Sequence, residues 1–181
     1  LEGLVDFWNQ NKRIGNQFEL TEATISRRLA EVEPDRAEAT TLTRDQLRRA
    51  ARTLAAASML MQEPEIRLQG APGELRGVEP SDLLDWSAKD IRTLLLRPLF
   101  VAGQFGAVRI YVLKAREFLT AEWLHDRLKD HSSRAQIEAL FFRTQYGQEV
   151  VIPSMRGVLP WLASLDSDIL ARVRRVAPEV M

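Results

Sequence analysis

The sequence predicts a mainly α-helical protein: a helical segment, a winged-helix-like module with a short β-hairpin, and then C-terminal helices. Apolar residues recur at helical spacing along most of the chain. The stretch 107–128 differs, because Val108, Ile110 and Val112 alternate with other residues before a helical apolar stripe begins at Ala115. A strand that leads directly into a helix with two apolar stripes is therefore expected in the middle of the chain, with material packed on two sides of that helix.

The composition is typical of a soluble globular protein. Of 181 residues, 45% are apolar, which is sufficient for a core. Twenty-five basic residues balance 25 acidic ones, so net charge favours neither nucleic acid nor an anionic membrane as a partner. The absence of cysteine excludes disulfides and cysteine-ligated zinc. Since there is no secretory signal and no apolar run near the ~20 residues of a membrane span, we expect a cytoplasmic protein.

Residues 1–42 are predicted to form an N-terminal helical segment. A short first helix ends near Gly15, because glycine readily adopts the left-handed conformation that terminates helices. A second helix covers 18–32, with Ile25 and Leu29 on its apolar face.

Residues 43–130 show the order helix, short strand, two helices and hairpin that is typical of a winged-helix module. Thr43 has capping-box spacing to the glutamine three residues later. A short helix at 81–86 and a second at 88–96 follow a loop rich in glycine and proline. The hairpin pairs 99–101 with the strand described above.

The first helix of this module has two predicted faces. Small and apolar residues form the buried face, which extends to Ser58 and Met61. Arg44, Arg48 and Arg52 follow one another at i, i+4 spacing on the other side. We interpret them as a solvated face rather than a nucleic-acid-binding stripe, because acidic residues are dense nearby.

Residues 131–181 are predicted to be helical again. Ser133 gives a capping signal before an apolar run, and a turn follows at Tyr146. The stretches 154–165 and 166–176 then form an antiparallel helix pair. These helices either close the domain or begin an α-helical repeat array, since one pair does not establish a period.

The sequence contains no motif of catalytic chemistry. P-loop and dinucleotide-binding glycine motifs are absent, and the loop 103–106 is too short to hold phosphates. His125 and His131 lack the third ligand that would define a metal site. Glu117 and Glu122 lie on different faces of one helix, so they are not a general acid/base pair. We therefore expect a non-catalytic segment without its own cofactor or metal.

The stretch VRIYVLKAREFLTAEWL resembles the end of the winged-helix region in STAND-class signalling NTPases, the group that includes NACHT proteins. REFLTA at 116–121 matches the family's R-E-Y-L-A-A pattern, with Phe for Tyr and Thr for the first Ala. The preceding and following segments are similar to the helical segment after the ATPase core and to the helical repeats after the winged helix. The resemblance thus covers most of the chain.

The resemblance implies a nucleotide-gated switch whose helical parts hold an ATPase core closed with ADP and move when a ligand is sensed. Val112 occupies the position of the family's phosphate-sensing His, and Lys114 that of its Ser. Valine cannot donate a hydrogen bond to a phosphate. ATP or ADP and Mg²⁺ are therefore implied for the parent protein alone, of which a chain opening at Leu1 is expected to be a part. Prokaryotic members commonly serve in anti-phage defence.

The residues expected to act in switching or docking lie on the wing and on the helix after it, which we name the switch helix. They are Arg109, Lys114, Arg116, Glu117, Phe118 and Trp123. The two aromatic residues among them are also predicted to be core residues. The expected partners are other domains of the parent chain or other proteins, and self-association stays open.

Two other functions fit the same pattern. A winged-helix DNA-binding module would insert the helix 88–96 into DNA. Its basic residues are Lys89, Arg92 and Arg97, which are few for phosphate binding. A stand-alone helical adaptor or scaffold would instead use apolar surface around Trp161 to bind partner helices.

Overall fold

The computed structural model describes residues 5, 7–9, 15–31, 42–68 and 76–181, and it is mainly helical. The helices longer than one turn in these ranges are α1 (Gln17–Ala30), α2 (Arg44–Leu60), α3 (Ala88–Leu95), α4 (Leu113–Leu128), α5 (His131–Ala139), α6 (Leu159–Leu165) and α7 (Ser167–Val176). The strands are β1 (Phe100–Ala102), β2 (Val108–Ile110), β3 (Phe142–Gln145) and β4 (Gln148–Val151). The predicted mainly α fold with a short β-hairpin is confirmed.

Helix α1 begins with a capping box. The Asn16 side-chain oxygen accepts a hydrogen bond from the Glu19 N–H at 2.9 Å, and the Glu19 carboxylate accepts one from the Asn16 N–H at 3.0 Å. Ile25 and Leu29 are buried, as predicted. The helix predicted to precede Gly15 lies mostly outside the described residues. The helix predicted over 18–32 ends earlier than expected, at Ala30, because Glu31 has an extended backbone.

Helix α2 begins at the predicted capping box of Thr43, whose N–H donates to the Gln46 side chain at 2.8 Å and whose hydroxyl accepts from the Gln46 N–H. The buried face of α2 includes Leu54 and Ser58. Met61 is an exception to the prediction, since it is 56% exposed. The helix ends one residue earlier, and the chain turns away there.

Helix α4 lies at the centre of the fold. It packs most extensively against α2 and also contacts α1, α5 and α6. Phe118, Leu119 and Leu124 are buried on it, and each such side chain contributes about 1.5–3 kcal/mol by leaving water. The prediction that this helix has neighbours on two sides is therefore confirmed.

The predicted hairpin is present in the winged-helix-like region. Strands β1 and β2 pair antiparallel, with Phe100 opposite Ile110. The strand expected near residue 66 is reduced to two isolated bridges of Ile66, a parallel one with Val78 and an antiparallel one with Val108. Ile66 and Val108 exchange backbone hydrogen bonds of 2.7 and 2.9 Å. The helix predicted at 81–86 is a single 3₁₀ turn, Pro80–Asp82, because extended backbone before α3 leaves no room for more.

A second hairpin follows α5 and was not predicted. Strands β3 and β4 pair with Phe142 opposite Val151, where the sequence pattern favoured a continued helix. The turn at Tyr146 and Gly147 has φ values of 51° and 76°, which is the type I′ geometry of a two-residue hairpin loop. Helix α5 also begins at residue 131, so Ser133 lies within the first turn and does not cap it.

The three predicted segments share one continuous core. Ile25, Phe118 and Leu162, one from each segment, belong to the same buried cluster. The C-terminal pair α6 and α7 starts with Asp166 as the N-cap of α7. In the part of the chain that the structure describes, no helix has both the length and the apolar character needed to cross a membrane.

Candidate functional site

Most of the residues predicted to act in switching or docking lie on α4. Strand β2 ends at Ile110, and α4 begins after its extended N-cap residue Val112, where a run without proline or glycine follows. Arg109 lies apart from them, exposed on β2. The candidates on α4 are Lys114, Arg116, Glu117, Phe118 and Trp123.

The two aromatic candidates differ in their surroundings. Phe118 is fully buried and lies between two rings, with its centroid 4.8 Å from that of Phe18 and 5.3 Å from that of Trp161. Trp123 is half-buried beneath the guanidinium of Arg127, which lies 3.7 Å from the ring centroid. Trp161 is 8% exposed, so the apolar surface expected around it is largely covered.

The prediction of a solvated arginine stripe on α2 holds for Arg44, which is exposed, but was wrong for Arg48 and Arg52. Arg48 donates from Nη2 to both carboxylate oxygens of Glu122 at 2.9 Å, and it also pairs with Glu22 of α1. Arg52 pairs with Asp126 at 2.9 Å. Burial lowers the pKa of Arg48, but its two carboxylate partners raise it above the ordinary value. Arg48 and Arg52 face the neighbouring helices because α4 lies across this part of α2.

Arg116 and Glu117 lack this kind of pairing. Within the described residues, neither side chain has an ion-pair partner within 4 Å, and the Nε of Arg116 is buried without a hydrogen bond. Burial lowers the pKa of Arg116 although Glu117 raises it. Burial raises the pKa of Glu117, against the opposing effects of the Trp161 indole N–H, Arg116 and Lys114. Two half-buried charges on α4 thus form no ion pair within 4 Å in the described part of the chain.

Glu117 lies in an open cleft of about 720 Å³ between the start of α1, the N-terminal half of α4 and α6. Lys114, Phe18 and Trp161 also line it. Gly157 also lines the cleft. A Cβ on this residue would lie 2.0 Å from the Glu117 Oε1, so the glycine leaves room for the carboxylate. This cleft was not predicted, because no local sequence pattern links α4 to residues some forty positions later.

Val112, at the position of the expected phosphate-sensing His, is 41% exposed and precedes α4 without capping it through a side chain. It lines a shallow depression of about 350 Å³ with Tyr111 and residues of α1. No group of three or more potential metal ligands occurs in the described part of the chain. The His131 side chain lies outside the described residues.

The basic residues in and just after α3 differ in their exposure to solvent. Arg97, just after the helix, is buried and donates to the carbonyls of Ala30 and Glu31 at 3.4 and 3.3 Å, which satisfies the C-terminal end of α1. Lys89 and Arg92 are exposed. Arg97 is therefore unavailable to a phosphate backbone.

A separate ion-pair cluster joins the second hairpin to the last helices. Arg172 of α7 pairs with Glu138 of α5 and with Glu149 of β4. Arg134 pairs with Asp166 at 2.8 Å. Hydrogen bonding to Arg172 holds the pKa of Glu149 below its usual range. The cluster stabilises the packing of the C-terminal segment.

Comparison of the chain with family models, curated proteins and solved structures finds no significant match.

Proposed function

We propose that this chain is a non-catalytic regulatory and interaction segment of a larger STAND-type NTPase, with α4 as its switch helix. The resemblance at 116–121 supports this function. The observation that carries it is the pair of half-buried charges, Arg116 and Glu117, which lack counter-ions among the described residues.

Unmatched charges of this kind favour a docked state. A charge withdrawn from water without a partner costs free energy, and a surface that supplies the opposite charge recovers part of it. The acidic residues further along α4, Glu122 and Asp126, are already paired within the chain. Docking at the N-terminal half of α4 would therefore be selective for a complementary surface.

The ion pairs of Arg48 determine how such a switch would move. Because Arg48 joins α1 and α4 to α2, these three helices would move together as one body against the ATPase core. With valine at the sensing position, the nucleotide state would reach the helices through the docking surface rather than through a phosphate contact. ATP or ADP and Mg²⁺ belong to the parent protein in this proposal, which we place in the cytoplasm and in anti-phage signalling.

Calorimetric titration of the chain with Mg-ADP and with Mg-ATP tests the non-catalytic part of the proposal. We expect no heat of binding and no thermal shift with either nucleotide. Micromolar binding of either one would overturn this part. The regulatory part requires that the native polypeptide contains a nucleotide-binding core, and peptide sequencing of that polypeptide would overturn it if no P-loop were found.

Hydrolysis by the parent protein tests the role of α4. Replacing Glu117 with lysine reverses one unmatched charge, so we expect faster basal ATP hydrolysis and larger particles in light scattering. Asp85→Asn changes an exposed carboxylate elsewhere and is the control. Equal effects of the two substitutions would contradict a switching role for Glu117.

A stand-alone adaptor is the second candidate, and the hairpin tips favour it. Phe105 is 74% exposed and Tyr146 is 97% exposed, both at turns. Large exposed aromatic side chains are common at the centres of protein interfaces. An adaptor would bind its partner without any ATPase core in the same polypeptide, and replacement of both aromatic residues would abolish that binding.

A further inference from the structure

We propose that the cleft at Glu117 binds one basic side chain, preferably an arginine, from a helical segment of a protein partner. This inference rests on the proposed function and names the chemistry of the surface that docks against α4. The cleft is open to solvent and is lined by elements from both ends of the chain. It holds a carboxylate that forms no ion pair within 4 Å among the described residues.

The Glu117 carboxylate provides the negative charge that would bind the basic side chain. Glu117 is half-buried, and the nearby Trp161 indole N–H opposes the burial that raises the pKa of its carboxyl. A carboxylate has about four lone-pair sites, so one donor leaves capacity for a bidentate ligand. Gly157 has no side chain where the Glu117 carboxylate lies, so the carboxylate fits against the glycine at the wall of the open cleft. The group is therefore accessible and incompletely satisfied, which suits a cation and repels a phosphate.

Three apolar ring side chains that line the cleft favour an arginine over a lysine. Phe18, Pro160 and Trp161 line the cleft, and Phe18 is half-buried. A planar guanidinium can stack against such apolar surfaces while it binds a carboxylate through two N–H groups. An ammonium gains less from this geometry, because it binds as a point charge.

The positive charge of Lys114 limits which partner surfaces fit the cleft. It is exposed on the same cleft, one helical turn before Glu117, and its charge lowers the pKa of that carboxylate. A partner with several adjacent basic residues would be repelled by it. A helix that carries an acidic residue one turn from its arginine would match both charges, because residues three or four apart lie on the same helix face.

The experiment uses N-acetyl-arginine amide as the probe and observes the four tryptophan indole N–H resonances by NMR. We expect the Trp161 resonance, assigned through its contact with Phe118, to shift saturably with an affinity on the order of millimolar. Glu117→Gln should weaken binding by about tenfold or more, because it removes a charged hydrogen-bond partner. Asp85→Asn, which removes an exposed carboxylate, should leave binding unchanged.

Three outcomes of this titration would overturn the inference. They are the absence of a saturable shift, equal binding by Glu117→Gln, and equal binding of N-acetyl-citrulline amide, which has the same shape without the charge. Stronger binding of ethylammonium than of the arginine probe would also overturn it, since the cleft would then select small amines.

A charge-reversal experiment tests the role of Lys114. Two helical peptides carry one arginine each, with either glutamate or lysine four positions away. The glutamate peptide should bind the wild-type chain more tightly, and Lys114→Glu should reverse that preference. An unchanged preference would overturn the proposed match. These measurements need no nucleotide, so they can fail while the regulatory role stands, or succeed if no ATPase core exists.

Discussion

Arg48 of α2 binds Glu122 of α4 through both carboxylate oxygens, and this ion pair joins the two most extensively packed helices of the fold. Their side chains are 16% and 19% exposed, so water screens the pair only partly. Breaking such a pair from one side leaves a charge poorly solvated.

Arg48→Ala is therefore expected to lower the free energy of unfolding by about 2–3 kcal/mol, somewhat below the range for a fully buried pair. Urea denaturation followed by circular dichroism measures this change. Arg49→Ala, at the exposed neighbouring position, is the matched control and should change stability by about 0.5 kcal/mol or less. Similar losses for the two variants would show that the ion pair contributes nothing specific.

Tyr146→Asn is expected to stabilise the chain by about 0.5–1 kcal/mol. Tyr146 adopts a φ of 51° at a type I′ turn and is 97% exposed, so it has strain to relieve and almost no contact to lose. Asparagine tolerates this conformation better than an aromatic residue does. Thermal unfolding and denaturant titration measure the effect, with Gln148→Asn as an exposed control on the neighbouring strand. A loss of stability on Tyr146→Asn would contradict the argument.

The same reasoning applies to Phe105, which also has a φ of 51° and precedes a glycine. Both tips read Gln-aromatic-Gly, at 104–106 and 145–147. We expect Phe105→Asn to raise stability by a similar amount, about 0.5–1 kcal/mol, in the same assay. If both substitutions stabilise the fold but abolish partner binding, the aromatic tips serve an interface at the expense of stability.

Glu117 should make stability fall as the pH rises. Because its folded-state pKa is raised, the folded chain binds more protons than the unfolded chain between the two pKa values. The free energy of unfolding therefore decreases as pH rises through that window, and the loss is complete above the folded-state pKa. Glu117→Gln should accordingly be more stable than wild type at pH 7, with an advantage that disappears toward acid pH. Parallel stability curves for the two proteins would contradict this.

Asp166 should make the free energy of unfolding fall as the pH falls, which is opposite to the effect of Glu117. Burial raises the pKa of Asp166, but Arg134 and the backbone N–H of Ile169 outweigh it, so the folded-state pKa is lowered. The contribution of Asp166 to the free energy of unfolding is fully present above its unfolded-state pKa, and it is lost as the pH falls through its folded-state pKa. Asp166→Ala removes the N-cap of α7 and should cost about 1–2 kcal/mol at pH 7. Asp166→Asn, which can still cap the helix, should cost less, and an equal cost would contradict the cap.

Local signals predicted part of this fold. The capping box at Thr43 depends on residues three positions apart, and the first hairpin on a short strand before a glycine-bounded loop, so both were found. The second hairpin was missed because the turn at Tyr146 lacks the asparagine–glycine signal and the preceding apolar run also fits a helix. The predicted solvent exposure of Arg48 was wrong, because the spacing of residues along one helix does not reveal which neighbouring helix covers them.

The candidate site required the tertiary structure. The pattern at 116–121 identified Arg116 and Glu117, but their lack of counter-ions depends on every element around α4. The cleft brings Glu117 against Gly157 and Trp161, which are distant in sequence. No spacing rule would have joined them.

Gly157→Ala is expected to displace the Glu117 carboxylate from the cleft with little effect on the fold. The backbone of Gly157 has no positive φ, so alanine is allowed there, but its Cβ would lie 2.0 Å from the Glu117 Oε1. That atom ends a flexible side chain, which can rotate away at a cost of about 1 kcal/mol. We expect the arginine probe to bind about tenfold more weakly, as it does after loss of the charge itself. If Gly157→Ala bound the probe as wild type does, while Glu117→Gln did not, the carboxylate would not need the space beside this glycine.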